Sequence, residues 1–181
     1  WINIRISKDE QPIEKPTLSL EEARKFSNGF NKPEYRLLVL LLFDSGFRVS
    51  EMLSVCKRDL AWEDYDEGQK CFWIKCNKSK TEVRKIPIPL FTEDIQAFVN
   101  SIFYQQRGED DKVFPMQYSN LVQRFKEVSK KVLGKIVTPH ALRHSSATFY
   151  SREYDGNMPL IAERFGWTFS SPQLRTYIRR S

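Results

Sequence analysis

The stretch Thr138-Pro-His-Ala-Leu-Arg-His144 decides how this chain is interpreted, because it holds both histidines of the 181-residue sequence. Thr138 is a favourable N-cap and proline suits the first helical position, so the stretch predicts the start of a helix. His140 and Arg143 then share one face of its first turn. Free backbone amides and the positive end of the helix dipole favour an anion there. We expect His144 to be a buried, hydrogen-bonded core residue that supports the site without contacting its ligand.

The charge of the chain is unevenly distributed along the sequence. The 29 Lys and Arg against 23 Asp and Glu give a net charge of +6 and an isoelectric point near 9.2. Residues 120–181 carry 11 of these basic residues and only 4 of the acidic ones. A basic segment of this kind favours a polyanionic partner such as nucleic acid or a membrane surface, and charge alone does not choose between the two.

Several classes of protein are excluded by simple patterns. The longest apolar run, 37–43, is too short to span a bilayer. Neither a GxxxxGK[ST] loop nor a GxGxxG motif is present, so the sequence offers no machinery for nucleotide chemistry. The three cysteines are few and odd in number, which fits a reducing compartment. Cys71 and Cys76 are spaced like a metal clip, but no second Cys or His pair completes a zinc site.

Proline, glycine and apolar spacing divide the chain into an entry segment and one domain. Residues 1–16 are polar with two prolines and are expected to be a linker, leaving residues 17–181 as the domain. Strands over 71–76 and 83–88 predict a hairpin with a basic tip, whose second strand Pro87 and Pro89 confine to an edge. Helices are predicted from Thr17 or Ser19 to Gly29, over 34–44, over 51–58 after a Ser50 cap, and over 93–103, 120–133, 141–154, 160–165 and around Tyr177. The predicted fold class is α+β, mostly α-helical with a small antiparallel sheet.

Further segments, taken in order with the His140 box, resemble the catalytic domain of the tyrosine recombinases, the phage integrase family. The segment Asp44-Ser-Gly-Phe-Arg-Val-Ser-Glu-Met-Leu53 is similar to the one that carries the family's first arginine, here Arg48. His140-Ala-Leu-Arg-His144 is similar to the family's HxLRH box. Phe165-Gly-Trp167 is similar to its Gly-His or Gly-Trp pair. Leu174-Arg-Thr-Tyr177 then supplies the tyrosine, one residue further on than is usual.

The family also uses a lysine in a β-hairpin, and Lys80-Thr-Glu-Val-Arg-Lys-Ile-Pro87 is similar to that motif. The match is one residue short of the commonest spacing, and Lys78 is close by as an alternative to Lys80. The resemblance makes the lysine a general acid that protonates the departing 5′ oxygen. Glu51, three residues after Arg48, is expected to orient that arginine, or simply to be a solvated helix residue.

The resemblance assigns a role to each of the remaining side chains. Arg48 and Arg143 would clamp the non-bridging oxygens of a DNA phosphate, because guanidinium is always charged and presents a planar fork. Tyr177 would be the nucleophile, forming a covalent 3′-phosphotyrosyl intermediate. His140 would accept or share the tyrosine proton and bind the phosphate. Trp167 would bind a phosphate oxygen or pack, since an indole N–H cannot transfer protons in this way.

The implied protein is a site-specific DNA recombinase, such as an integrase of a virus or mobile element, with similarity to archaeal integrases. Its expected partners are double-stranded DNA and, on paired DNA sites, further copies of itself in a tetramer, with the isolated domain a monomer and no membrane contact. No metal or other cofactor is implied. The expected location is the cytoplasm of a prokaryotic host, on DNA. We also expect a family N-terminal domain that residues 1–16 are too short to form.

Three other functions are compatible with parts of the pattern. A DNA-binding module of the same fold without activity is disfavoured, because every catalytic position is filled. Relaxation of DNA by a related type IB topoisomerase needs no strand exchange between protomers. A metal-dependent nuclease would use Asp59, Asp64 and Lys75, although these residues are more typical of a solvated loop.

Overall fold

The computed structural model describes residues 17–78 and 83–178. Within these ranges the chain forms α-helices around one three-stranded antiparallel sheet, which confirms the predicted fold class. The helices are α1 (Leu20–Asn28), α2 (Pro33–Ser45), α3 (Val49–Met52), α4 (Thr92–Val99), α5 (Ile102–Gln105), α6 (Tyr118–Leu133), α7 (Pro139–Glu153), α8 (Met158–Phe165) and α9 (Pro172–Ile178). The strands are β1 (Leu60–Asp66), β2 (Gln69–Cys76) and β3 (Arg84–Ile88). None of the described helices is both long and apolar enough to cross a bilayer.

Helix α2 is the centre of the core, since every residue from 37 to 45 is buried. It begins at Pro33 and ends where Gly46 takes a left-handed conformation with φ of 65°, as the proline and glycine predicted. A helix that is apolar on all sides must be covered on all sides. Helices α1, α4 and α7 and strand β3 pack around it. The residues that follow Gly46 therefore start from a rigid point.

Helix α1 begins as its sequence indicates. Ser19 Oγ accepts a hydrogen bond from the Glu22 amide, and the Glu22 carboxylate accepts one from the Ser19 amide, so the two residues form a capping box. Of the two predicted caps, Ser19 is the one used. The helix ends at Asn28, immediately before the predicted stop at Gly29.

The sheet contains the predicted hairpin and one strand that the sequence did not predict. Strands β2 and β3 pair antiparallel with Trp73 opposite Pro87, and β3 is an edge strand, as the prolines required. Strand β1 pairs along the other side of β2. Four of its seven residues are exposed, and its apolar residues do not alternate with polar ones, so the pattern did not mark it as a strand. The predicted basic tip falls largely on residues 79–82, which lie outside the described residues.

Two helix predictions were wrong in their extent. The helix predicted over 51–58 is instead the single turn α3 followed by a 3₁₀ turn, Lys57–Asp59. Ser50 is inside α3, and the Glu51 and Asp59 carboxylates close these two turns by accepting from the Arg48 and Cys56 amides. The helix predicted over 93–103 is divided into α4 and α5, because Ser101 caps a new turn by accepting from Tyr104.

A buried polar network ties the ends of α2, α7 and α8 together. The Asp44 carboxylate accepts hydrogen bonds from the Tyr150 hydroxyl, the Leu90 amide and the Arg164 guanidinium. Arg164 also donates to the backbone carbonyls of Asp44 and Pro87 at 2.8 and 2.9 Å. Burial raises the pKa of Asp44 to about 6, although the Arg164 charge opposes this. Each polar atom that the network buries is thus given a partner, as an apolar interior demands.

Gly46 provides a test of how tightly the ends of α2 and α8 fit. A Cβ at this position would lie 2.1 Å from Cε1 of Phe165, on a backbone with φ of 65°. We expect Gly46→Ala to lower the free energy of unfolding by about 2–5 kcal/mol, from backbone strain plus overpacking. Urea denaturation measures the change.

Gly68 is the matched control, because its φ is 72° and nothing lies within 4 Å of a built Cβ. Gly68→Ala should therefore cost only the backbone term of about 1–2 kcal/mol. Equal losses in the two variants would show that the contact with Phe165 is unimportant.

Candidate active site

Arg143 is buried at the junction of three helices, and backbone groups fix its position. It lies in the second turn of α7, and its Nη1 donates to the Gly46 carbonyl at 2.5 Å. Its Nη2 donates to the Phe165 carbonyl at 2.7 Å. These carbonyls are at the ends of α2 and α8, which the Asp44 network holds together. The guanidinium is therefore oriented by the fold before any ligand arrives.

Glu51 is the buried carboxylate around which the arginines gather. Its Oε1 is 3.0 Å from Nη1 of Arg48, and its Oε2 is 2.9 Å from Nη2 of Arg84 and 3.9 Å from Nη1 of Arg143. Burial opposes ionisation, but the Arg84 charge and the Arg48 amide outweigh it, so the pKa of Glu51 lies below its ordinary value. Of the two predicted surroundings, the structure places Glu51 against Arg48 and not in solvent, and two further arginines lie beside it.

Positive charge is concentrated in this cluster. Burial lowers the pKa of Arg143 to about 9, and the neighbouring Arg48 charge lowers it too, while Glu51 opposes the change. Arg143 still carries its proton at neutral pH. The Arg48 side chain is 38% exposed and is therefore the arginine most open to solvent in the pair predicted to bind a phosphate. Three guanidinium groups and one carboxylate leave an excess of positive charge suited to an anion.

A cleft of about 570 Å³ opens beside this cluster, and two of its arginines are part of the lining. Lining residues include Arg48, Lys78, Tyr118, His140 and Arg143. The N-terminus of α7 also faces it, capped by Thr138 Oγ1, which accepts from the Ala141 amide. His140 is exposed in this first turn. The cleft thus combines a helix N-terminus with cations, the arrangement that binds phosphate.

Tyr177 and Trp167 form a stack beside the arginines. The Trp167 ring is stacked on Phe165 at 4.8 Å and on Tyr177 at 5.4 Å between centroids. The Arg143 guanidinium lies 5.5 Å from the Trp167 centroid. Trp167 therefore packs, one of its two predicted roles, and the packing itself places the tyrosine near Arg143.

His144 is the predicted residue whose surroundings differ most from expectation. It is half-buried, not a core residue, and its Nδ1 is hydrogen-bonded to the Tyr177 hydroxyl. The two rings are 5.4 Å apart and tilted by 54°. The sequence assigned the tyrosine proton to His140, one helical turn earlier on α7. The structure places His144 against the phenolic oxygen.

Arg84 is a residue of the cluster that the sequence analysis missed. It is buried on β3, stacks over the Phe47 ring at 4.8 Å and pairs with Glu51. A Cβ at Gly166 would lie 2.3 Å from its Nη1, so it also fills the space beside the end of α8. The sequence did point to this residue, since Arg84 belongs to the segment 80–87 that is similar to the family's lysine motif. Lys80 itself lies outside the described residues.

The groups considered for metal binding are occupied by other contacts. Asp59 accepts from the Cys56 amide and the Asn77 side chain, and Asp64 is paired with Lys70. The three cysteines are buried and free, and the described residues contain no cluster of three or more His, Cys, Asp and Glu placed to hold a metal ion. Asp59 of the nuclease hypothesis thus has a structural role, whereas Asp64 is exposed to solvent.

A family model identifies the class of protein to which this architecture belongs. The model described as the phage integrase family matches residues 18–181, and the chain belongs to that family, as its motifs predicted. Tyrosine recombinase XerA of Saccharolobus solfataricus is 28% identical over 151 residues, which cover 82% of this chain and 48% of the relative. XerA of Thermococcus onnurineus is 32% identical over 143 residues, which cover 73% and 47%. The chain thus spans about half the length of these curated relatives.

Solved structures show the same fold. A crystal structure of XerA recombinase matches with a TM-score of 0.70 at 21% identity, over 97% of this chain and 62% of the other. A crystal structure of XerH recombinase bound to its difH substrate matches with a TM-score of 0.69 at 19% identity, over 89% and 49%. The prediction of a tyrosine recombinase catalytic-domain fold is confirmed.

The Glu51 cluster predicts how much Arg84 contributes to stability. Arg84→Met removes one partner of a buried ion pair, so we expect the free energy of unfolding to fall by about 3–5 kcal/mol. Urea denaturation at neutral pH measures the loss. The double variant Glu51→Gln/Arg84→Met should lose less than the sum of the two single changes, because each single change already removes the Glu51–Arg84 interaction, which the double variant loses only once.

Lys85→Met is the matched control, since Lys85 is the next residue on the same strand and forms an exposed ion pair with Glu63. An exposed pair contributes about 0–1 kcal/mol. A loss in Arg84→Met no larger than that in Lys85→Met would contradict the structural role given to Arg84.

Proposed function

We propose that this chain is the catalytic domain of a site-specific DNA recombinase that cleaves and rejoins DNA strands through a phosphotyrosine. The observation that carries the proposal is the convergence of three side chains from distant parts of the sequence. Arg48 and Arg143 line one cleft, and Tyr177 lies close enough to Arg143 for the two to interact electrostatically. The partner proposed here is duplex DNA. The XerH recombinase structure named above is bound to its difH substrate. The basic 120–181 region adds general attraction that weakens with salt.

The arginines stabilise the charge that develops in the transition state. When the tyrosine attacks, the phosphorus becomes five-coordinate and its non-bridging oxygens gain negative charge. Arg143 is held by two carbonyls and Arg48 by Glu51, so neither needs to reorganise during the reaction. A preorganised donor of this type contributes about 3–4 kcal/mol to the barrier reduction.

The remaining predicted residues complete the reaction. Tyr177 attacks the phosphate and forms a 3′-phosphotyrosyl bond, His140 binds a phosphate oxygen from the first turn of α7, and Lys80 protonates the 5′ oxygen that leaves. Trp167 holds the tyrosine by stacking. The energy of the phosphodiester is kept in the phosphotyrosine and is returned when the free 5′ hydroxyl attacks it. The scheme therefore uses neither a metal ion nor ATP.

Recombination also requires that two cleaved duplexes exchange strands. We propose that four copies of the protein assemble on paired DNA sites for this step, in the cytoplasm of a prokaryotic host. Relaxation of supercoiled DNA without paired sites would favour a topoisomerase-like activity instead. DNA binding with no covalent product would favour an inactive module of the same fold.

Tyr177→Phe tests the nucleophile directly. The substrate is a pool of nicked duplexes with a randomised central segment. After cleavage the fragment with the free 5′ hydroxyl diffuses away, so the strand cannot be rejoined and the protein stays bound to the 3′ end. We expect wild-type protein to form this covalent complex in the presence of EDTA and Tyr177→Phe to form none, because the attacking oxygen is missing. Denaturing gel electrophoresis measures the product.

Tyr118→Phe is the matched control, since Tyr118 is an exposed phenol that lines the same cleft. It should leave the covalent complex in place. Covalent product from Tyr177→Phe, or a requirement of the wild-type protein for metal, would overturn the proposed reaction.

The identity of the general acid is testable with the leaving group. We expect Lys80→Ala to slow cleavage of an ordinary duplex by roughly 10²- to 10⁴-fold. A 5′-bridging phosphorothiolate should restore the rate, because a thiolate leaves without protonation. Lys78→Ala is the control and should show neither defect nor rescue. If the defect and the rescue follow Lys78 instead, the acid is Lys78, which lines the cleft.

A further inference from the structure

The phenolic oxygen of Tyr177 has a specific partner that no sequence motif required. Tyr177 lies on α9, and its hydroxyl meets Nδ1 of His144 on α7. The tilted contact of the two rings and the stack on Trp167 hold the phenol from two sides. These ring contacts therefore fix the position of the phenol relative to His144, and the hydrogen bond requires no rearrangement of either side chain.

The position of His144 differs from that of the other histidine. His140 is in the first turn of α7 and lines the cleft beside Arg48 and Arg143. His144 follows four residues later, about 6 Å further along the helix axis. One imidazole is thus placed for the phosphate and the other for the nucleophile.

The structure assigns His144 as the general base that removes the proton of Tyr177 during strand cleavage, an assignment that rests on the proposed function. A neutral imidazole protonated at Nε2 accepts the phenol's hydrogen bond at Nδ1 and can take its proton. Of the described groups around the pair, Trp167 is uncharged and Arg143 is a cation that favours the phenolate. A base within hydrogen-bonding reach of the nucleophile, oriented by its helix, has the geometry that nucleophilic catalysis requires.

The step balances in atoms and protons. A bond forms between Tyr177 Oη and phosphorus, and the bond between phosphorus and the 5′ oxygen breaks. The phenolic proton passes to Nδ1 of His144, and the 5′ oxygen takes a proton from the general acid proposed at Lys80. When the 5′ hydroxyl attacks the phosphotyrosine, both protons return by the same routes. His140 is then left to bind phosphate throughout.

His144→Asn is the test, because the Asn side chain keeps a hydrogen-bonding atom near the position of Nδ1 but cannot take a proton. Single-turnover cleavage of the randomised nicked pool is followed from pH 5 to pH 10. For wild-type protein the rate should rise with pH through the neutral range, since the base must be unprotonated, and then level off. For His144→Asn we expect a rate roughly 10²- to 10⁴-fold lower near neutral pH, with the rise moved towards alkaline pH, where the phenol ionises unaided.

Two further measurements separate a base from a structural residue. A fluorinated tyrosine at position 177, which is a more acidic phenol, should restore much of the rate in His144→Asn, whereas a damaged fold would not be rescued. The 5′-bridging phosphorothiolate should not restore it, because the defect is on the nucleophile and not on the leaving group.

His140→Asn provides the comparison and should retain the neutral rise at a reduced rate. An unchanged rate and pH profile in His144→Asn would overturn the assignment. So would loss of the neutral rise in His140→Asn alone, or the absence of rescue by the fluorinated tyrosine. Failure of the proposed function has a different signature, because wild-type protein itself would then form no covalent complex.

Discussion

The buried carboxylate of Glu51 is the interaction on which the candidate site depends. Arg143 and Arg84 are removed from water by the fold, and Arg48 lies beside them, so three like charges repel one another in a medium that screens them poorly. A single anion among them makes the arrangement possible. It must be buried to reach all three, and it stays ionised because they surround it. The negative charge of Glu51 therefore allows the arginines to lie close together, and the arginines give the site its affinity for an anion.

The scaffold keeps this cluster in place by joining helix ends. Arg143 spans from the Gly46 carbonyl to the Phe165 carbonyl, and Arg164 spans nearly the same gap through Asp44. Both arginines connect the end of α2 with α8, but only Arg143 is a predicted catalytic residue. Phe165 packs so closely on Gly46 that no side chain fits between these two helix ends. Local backbone geometry and buried polar bonds thus determine where the guanidinium groups point.

The sequence predicted the class of fold, most helices and the side chains that carry the family motifs, because those depend on local spacing and on residue types with few alternative uses. It did not predict β1, because the apolar and polar residues of this strand do not alternate. It also missed Arg84 and assigned His144 to the core, because each role is defined by a partner distant in the sequence. Glu51 was predicted as a partner of Arg48 or as a solvated helix residue, since the other two arginines it contacts come from β3 and α7. Spacing along one helix cannot reveal such contacts.

Burial divides the site into groups that folding has already removed from water and groups that lose water only when a ligand binds. Glu51, Arg84 and Arg143 are buried, whereas His140 is exposed and Arg48 is partly so. The free-energy cost of removing the first set from water is met once, when the chain folds, and does not recur when an anion enters the cleft. The exposed groups must still lose water on binding, so there are few of them. Tyr177 is held by stacking on Trp167 and by its hydrogen bond to His144, so the attack proposed for it would not require the buried arginines to move.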